Sequence, residues 1–190
     1  MIPGIAVDGI EQKEAILDLY NEMTQATIQG KGGDPSIEVV ANTVNWSEYA
    51  QLLADNADIR VTSDNIQGSG PWGTEAEPKV TLIDGDVKID NRIAMGNGTA
   101  GGCGVLIVHG SLQINARFEF KGLVIAYKEA DFDLMLNARS QIIGGMVVAG
   151  QSVNIKAVTG NFEILHSRQS IDNIEELLKT RRFEILSWWE

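Results

Sequence analysis

Between Gly104 and Ile155 the apolar positions fall into one phrase written three times. It reads Gly104-Val105-Leu106-Ile107-Val108-His109-Gly110-Ser111-Leu112-Gln113-Ile114, then Gly122-Leu123-Val124-Ile125-Ala126 with Phe132-Asp133-Leu134 behind it, then Gly145-Met146-Val147-Val148-Ala149-Gly150-Gln151-Ser152-Val153-Asn154-Ile155. A weaker copy runs from Val80 to Ile89. Each of the three full copies opens on glycine, passes through four apolar residues, turns, and resumes with an alternating apolar pair. Self-similarity at about 18 to 25 residues is the mark of stacked units that bury their apolar faces only against neighbours. The expected fold is mainly β with flanking helices, a parallel β-solenoid (β-helix) in which each copy forms one coil.

The quartets are too short for helices, and their β-branched residues and bounding glycines favour strands. Unbroken apolar runs suit strands covered on both faces, whereas Leu112-Gln113-Ile114 and Val153-Asn154-Ile155 alternate as strands with one wet face do. Gly110 and Gly150 stand where a coil would turn a corner. Parallel stacking predicts a ladder of Ile107, Ile125 and Val148 and a second of Leu112, Phe132 and Val153. Tyr127-Lys128-Glu129-Ala130 replaces the glycine corner in one copy and predicts a looser turn there.

The flanks carry other periods. Ile16, Leu19, Tyr20, Met23 and Thr27 share one helical face, predicting a helix over Glu11 to Gln29 that ends at Gly30-Lys31-Gly32-Gly33-Asp34-Pro35. Ile37 to Val40 and Ile59 to Val61 read as brief strands. Asn45 with Glu48 three residues on has capping-box spacing and predicts a helix carrying Trp46, Tyr49, Leu52 and Leu53. Ser170 is placed to cap a helix with Ile171, Ile174, Leu177 and Leu178 on one stripe, and Phe183 to Trp189 reads as a last strand. The expected organisation is an N-terminal α+β capping region at 1–78, the solenoid at 79–166, and a C-terminal helix and strand cap at 167–190. The two ends would cover the open mouths of the tube, since exposed terminal coils offer unpaired backbone and apolar surface.

Composition narrows the function classes. The 190-residue chain is 44% hydrophobic and 22% charged, ordinary for one soluble globular domain. Its net charge of −11 argues against binding nucleic acid through a broadly basic surface. Cys103 is the single cysteine, so no internal disulfide can form. No apolar run approaches the roughly 18 residues of a membrane span.

The run from Trp72-Gly73-Thr74 through Gly85-Asp86, Gly102 to Gly110, Phe118 to Ile125, Gly144 to Gly150 and the closing Ser187-Trp188-Trp189-Glu190 resembles the soluble region of PilX-like type IV pilus assembly proteins. That family starts with a pilin-type hydrophobic helix and continues into a glycine-marked β-rich domain. The resemblance implies a non-catalytic role in pilus structure or assembly, in the periplasm or at the cell surface, with other pilus subunits as partners. It also implies a membrane anchor that would precede Met1. It carries over no catalytic residue.

Four features of the sequence invite sharper chemistry. Gly96-Asn97-Gly98-Thr99-Ala100-Gly101 matches the dinucleotide fingerprint by letter, but a strand follows where the phosphate site needs a helix start, so a corner loop is expected. Asp84 with Asp86 and Asp131 with Asp133 could cluster carboxylates, yet calcium needs six to eight converging oxygens. His109 and His166 lack ligand partners at metal spacing, and Cys103 with His109 six residues on would point along a coil rather than across it. Trp188 and Trp189 face opposite ways on a strand. No catalytic, cofactor-binding or metal-ligating residue is therefore assigned, and no enzyme activity or cofactor is expected. Two alternatives stand beside the pilus reading, a bactofilin-like polymer-forming scaffold and a polysaccharide lyase or hydrolase.

Overall fold

The computed structural model describes residues 3–7, 9–22, 26–39, 45–62, 65–66, 72–89, 100–114, 118–134, 140–157, 162–174 and 177–178. Eleven strands are present among these residues: β1 (Ile5–Val7), β2 (Ala26–Gln29), β3 (Ile37–Val39), β4 (Ile59–Val61), β5 (Asn65–Ile66), β6 (Lys79–Asp84), β7 (Val87–Ile89), β8 (Ala100–Ile114), β9 (Phe118–Leu134), β10 (Ser140–Ala157) and β11 (Phe162–His166). Helix α1 spans Ile10–Glu22 and α2 spans Trp46–Asp55, and residues 168–174 form a third helix, α3.

The three copies of the repeated phrase are the long strands β8, β9 and β10, paired in parallel. Each long strand has a first segment (residues 100–103, 118–121 and 140–143), a middle one (105–108, 123–126 and 145–148) and a third (110–114, 130–134 and 152–157), and through the middle segments the register continues across seven strands in the order β4, β6, β8, β9, β10, β1, β3. One column reads Ile59, Thr81, Leu106, Val124, Met146, Ile5, Ile37, and two residues on another reads Val61, Ile83, Val108, Ala126, Val148, Val7, Val39. Between them lies Arg60, Leu82, Ile107, Ile125, Val147, Ala6, Glu38.

These columns explain why the quartets are unbroken apolar runs. Leu106, Val108, Val124 and Ala126 face an inner core shared with Phe118, Phe120, Ile142 and Ile164 of the first segments and with Leu112 and Val87 of the third. Val105, Ile107, Ile125 and Val147 face the other way, into a second core closed by Ala50, Leu53 and Ala54 of α2 and Ile174 of α3. Each buried aliphatic side chain contributes about 1.5–3 kcal/mol, so a strand loaded on both sides is the best-anchored part of the sheet. The first segments alternate instead, Phe118 and Phe120 buried with Glu119 and Lys121 half-buried, because one face alone is covered there.

One column of glycine separates the first and middle segments. Gly104, Gly122 and Gly144 are register partners with φ of +130, +139 and +148°, and a Cβ built on Gly122 would stand 2.0 Å from the Gly104 carbonyl oxygen. No side chain fits there, which is why each copy opens on glycine.

Several expectations are corrected. The parallel β-solenoid, a tube plugged at both mouths, is overturned: the strands form one open sheet, ordered β2-β11-β10-β9-β8-β6-β4 with β1 and β3 branching at β10, and the described first and third segments do not pair to close it. Helices α2 and α3 lie on the outer face and do not plug an end. In the third copy Gly144, not Gly145, aligns with Gly122, so Ile125 stacks on Val147 and not Val148. A second irregularity, between Ala149 and Ser152, makes Ile155 and not Val153 the partner of Phe132.

The first helix stops at Glu22 and Ala26–Gln29 is a strand, because Ile28 is buried and pairs with Ile164 of β11. At α3 the Ser170 amide donates to Ser167 Oγ at 3.3 Å, so Ser167 and not Ser170 is the cap. The Asn45 expectation holds, its side chain accepting from the Glu48 amide at 3.2 Å. Strands β3 and β4 fall where they were expected, and the Gly30 to Pro35 turn closes with a Gly30–Gly33 bridge. The expected strand at Phe183 to Trp189 lies outside the described residues.

Candidate functional site

Two polar clusters stand on this frame. The first begins where β6 ends, because parallel register puts Asp84 beside His109 of β8. The His109 Nδ1–H donates to Asp84 Oδ1 at 3.0 Å, the only polarity open to an ionised carboxylate, which accepts and never donates. The imidazole lies 5.8 Å from the Tyr127 ring, and the buried Tyr127 hydroxyl donates to Gln51 Oε1 on α2. A carboxylate, an imidazole, a phenol and an amide thus link the sheet to its covering helix. Tyr127 reaches this position because the β8–β9 register slips between Val108 and Gly110, opposite the Tyr127 to Ala130 stretch predicted as a loose turn.

An Asp–His pair can move a proton, but hydrolysis by this route also needs a nucleophile at the imidazole. Cys103 is six residues back along β8, and at about 3.3 Å of rise per residue that is far beyond hydrogen-bond reach. Both partners of this hydrogen bond are substantially exposed, at 38% for the His109 side chain and 45% for that of Asp84, so the contact adds at most about 1 kcal/mol to stability.

The second cluster lies on the outward side of the first segments. Alternation sends Glu119 and Lys121 out while Phe118 and Phe120 go in. Register then stacks Glu119, Gln141, Glu163 and Thr27 in one row. Gln141 Nε2 donates to Glu163, and Lys121 Nζ donates to Glu75 while lying 3.7 Å from Glu119. The hydrogen bond from Lys121, then its charge, holds the Glu75 carboxyl below its ordinary value, and Glu75 in turn raises the Lys121 ammonium. Cys103 is the register partner of Lys121, and burial foremost, with Glu75 adding, pushes its thiol up. A raised thiol is mostly protonated at neutral pH and a poor nucleophile.

The depressed Glu75 carboxyl yields a direct expectation. Its favourable contribution is complete above its ordinary 4.5 and fades as pH falls through the lower folded value. Carboxyl NMR titration should place Glu75 below 4.5, and Lys121→Met should return it to the ordinary value. An unchanged midpoint would mean that Lys121 is not its partner.

Of the other residues weighed from sequence, Asp84 sits at the end of β6, and Asp131 and Asp133 on β9, with β8 between. Residues 96–99 of the fingerprint, and Trp188 and Trp189, lie outside the described residues, while Ala100 and Gly101 begin strand β8. Among the described residues no group of three or more His, Cys, Asp or Glu converges as a metal site would require. Gln51, Glu75 and Lys121 were not singled out from sequence, and Tyr127 was read only as the start of a loose turn. The alternation around Lys121 was a usable signal, whereas nothing local ties Gln51 to Tyr127, 76 residues away. No family model, no curated protein and no solved structure matches the chain.

Proposed function

We propose that this chain is a non-catalytic structural and interaction protein of type IV pilus assembly, acting in the periplasm or at the cell surface. The observation that carries the reading is where the resembling motifs fall. Gly102 to Val108, Gly122 to Ile125 and Gly144 to Ala149 all lie in one in-register parallel block, and the outward row of Glu119 and Gln141 on that block continues to Glu163 of β11. The row stands on segments whose inner face is anchored by Phe118, Phe120, Ile142 and Ile164, so little ordering is left for a partner to impose on it. The partners in this reading are other pilus or pilus-assembly subunits, meeting the row with complementary polar or basic groups.

The test is genetic and biochemical together. Deleting the gene in its own host should reduce surface pili counted by electron microscopy, and the tagged protein should co-purify pilus subunits. Glu119→Lys with Glu163→Lys should lose that co-purification while the circular dichroism spectrum stays unchanged. Normal piliation after deletion, with no pilus subunit recovered on the wild-type protein, would overturn the reading.

A further inference from the structure

The seven-strand middle ladder ends in two three-residue strands whose sequences match at the first and third positions. At one end β3 reads Ile37-Glu38-Val39; at the other β4 reads Ile59-Arg60-Val61. Their positions correspond column for column: Ile37 and Ile59 terminate one column, Val39 and Val61 another, and Glu38 and Arg60 the column between. That central column is apolar through Leu82, Ile107, Ile125, Val147 and Ala6, and becomes charged only at its two ends, with opposite signs. Among the described residues β3 pairs with β1 alone and β4 with β6 alone.

We propose that a second copy of this chain docks on this edge head to tail, its β4 lying parallel to β3 so that the ladder runs on from one molecule into the next. In that arrangement Ile59 of the second copy extends the Ile37 column and its Val61 covers Val39, which is 40% exposed in the single chain. Its Arg60 comes beside Glu38, and opposite charges on neighbouring strands at one column position attract. Arg60 is held on the outer face by bonds from Nη2 to the Ala54 and Asp55 carbonyls at 2.6 and 3.2 Å, and a guanidinium has five donors, more than these bonds use.

The same charges select against other pairings. Two β3 edges meeting about a twofold axis would run antiparallel and put Glu38 against Glu38, and two β4 edges would put Arg60 against Arg60. Like charges directly opposite are destabilising. Isolated charges on an edge strand usually serve to prevent association. Here one edge is negative and the other positive at the same column, which blocks like with like and leaves head-to-tail open. Such an interface is heterologous, so it propagates into a ring or a filament. This inference does not rest on the pilus reading.

Sedimentation velocity on the full chain tests it. The weight-average mass should rise with concentration over about a hundredfold range and fall when salt screens the Glu38–Arg60 contact. Glu38→Arg and Arg60→Glu should each weaken association by about tenfold or more, since each makes both edges one sign. Mixed one to one, the two variants should associate again, because every β3–β4 contact between unlike molecules then joins opposite charges. Val39→Lys, on the adjacent column, should abolish association without touching the charge pair and stands as the check if Arg60→Glu disturbs the end of α2. A wild-type mass independent of concentration would overturn the proposal. So would association that survives Glu38→Arg and Val39→Lys, or folded variants whose mixture is no heavier than its components.

Discussion

Gly122→Ala is expected to destabilise the protein by about 4 kcal/mol or more, a large part of the roughly 5–15 kcal/mol that holds a typical domain together. Two penalties add. At φ +139° an L side chain is strained, which costs about 1–3 kcal/mol. The new methyl would also meet the Gly104 carbonyl oxygen at 2.0 Å, and that oxygen belongs to a strand held in register on both sides. Relief requires opening the ladder at its centre. Gly85→Ala separates the two penalties: its φ is +100°, but no atom lies within 4 Å of the added carbon. It should therefore lose only about 1–2 kcal/mol from strain. Urea denaturation of both variants checks the difference, and equal losses would mean that crowding at the glycine column is not what excludes a side chain.

Phe120→Ala is expected to cost about 3–5 kcal/mol, the range for emptying an aromatic site in a close-packed core. Phe120 is fully buried at the centre of the first-segment rungs, and its ring stacks on Phe118 with centroids 6.3 Å apart and planes 9° from parallel. Lys121→Ala, one residue on, faces outward and should stay within about 1 kcal/mol of wild type because its ion pairs are surface pairs. Thermal unfolding followed by near-ultraviolet circular dichroism reads both. A Phe120 loss no larger than that of Lys121 would contradict the assigned inward and outward faces.

What the chain revealed in advance follows from how local each determinant is. Unbroken apolar quartets announced strands buried on two sides, and Val105 to Val108 and Met146 to Val148 are such strands. The α2 start was readable because Asn45 acts on an amide three residues away. The Ala26–Gln29 strand was not, since Thr27 extends the helical stripe of Ile16 and Tyr20, and only the remote pairing with β11 makes strand the better choice. Register in the third copy misled because the Gly144-Gly145 doublet offers two alignments, and only the crowding at Gly144, whose Cβ would lie 2.0 Å from the Gly122 oxygen, separates them. Whether a repeat closes into a tube is likewise invisible in periodicity, for it depends on which far segments pair. The insertion of β1 between β10 and β3 joins opposite ends of the sequence and has no local signature at all. The Glu38 and Arg60 edges lay in strands that were foreseen, but their shared column appears only once seven strands are counted across.

Helix α2 leaves the β3 end of the ladder, packs over β10, β9, β8 and β6, and delivers the chain to β4 at the far end. Its 10 residues measure about 15 Å at 1.5 Å each, and four strands span three gaps of about 4.8 Å, close to the same length. The helix therefore acts as a ruler: duplicating one repeat would widen the sheet by a gap that a helix of this length cannot cross without about three more residues. Growth in the number of rungs within one molecule is tied to growth of α2, so repeat number here is governed by an element that contains no repeat.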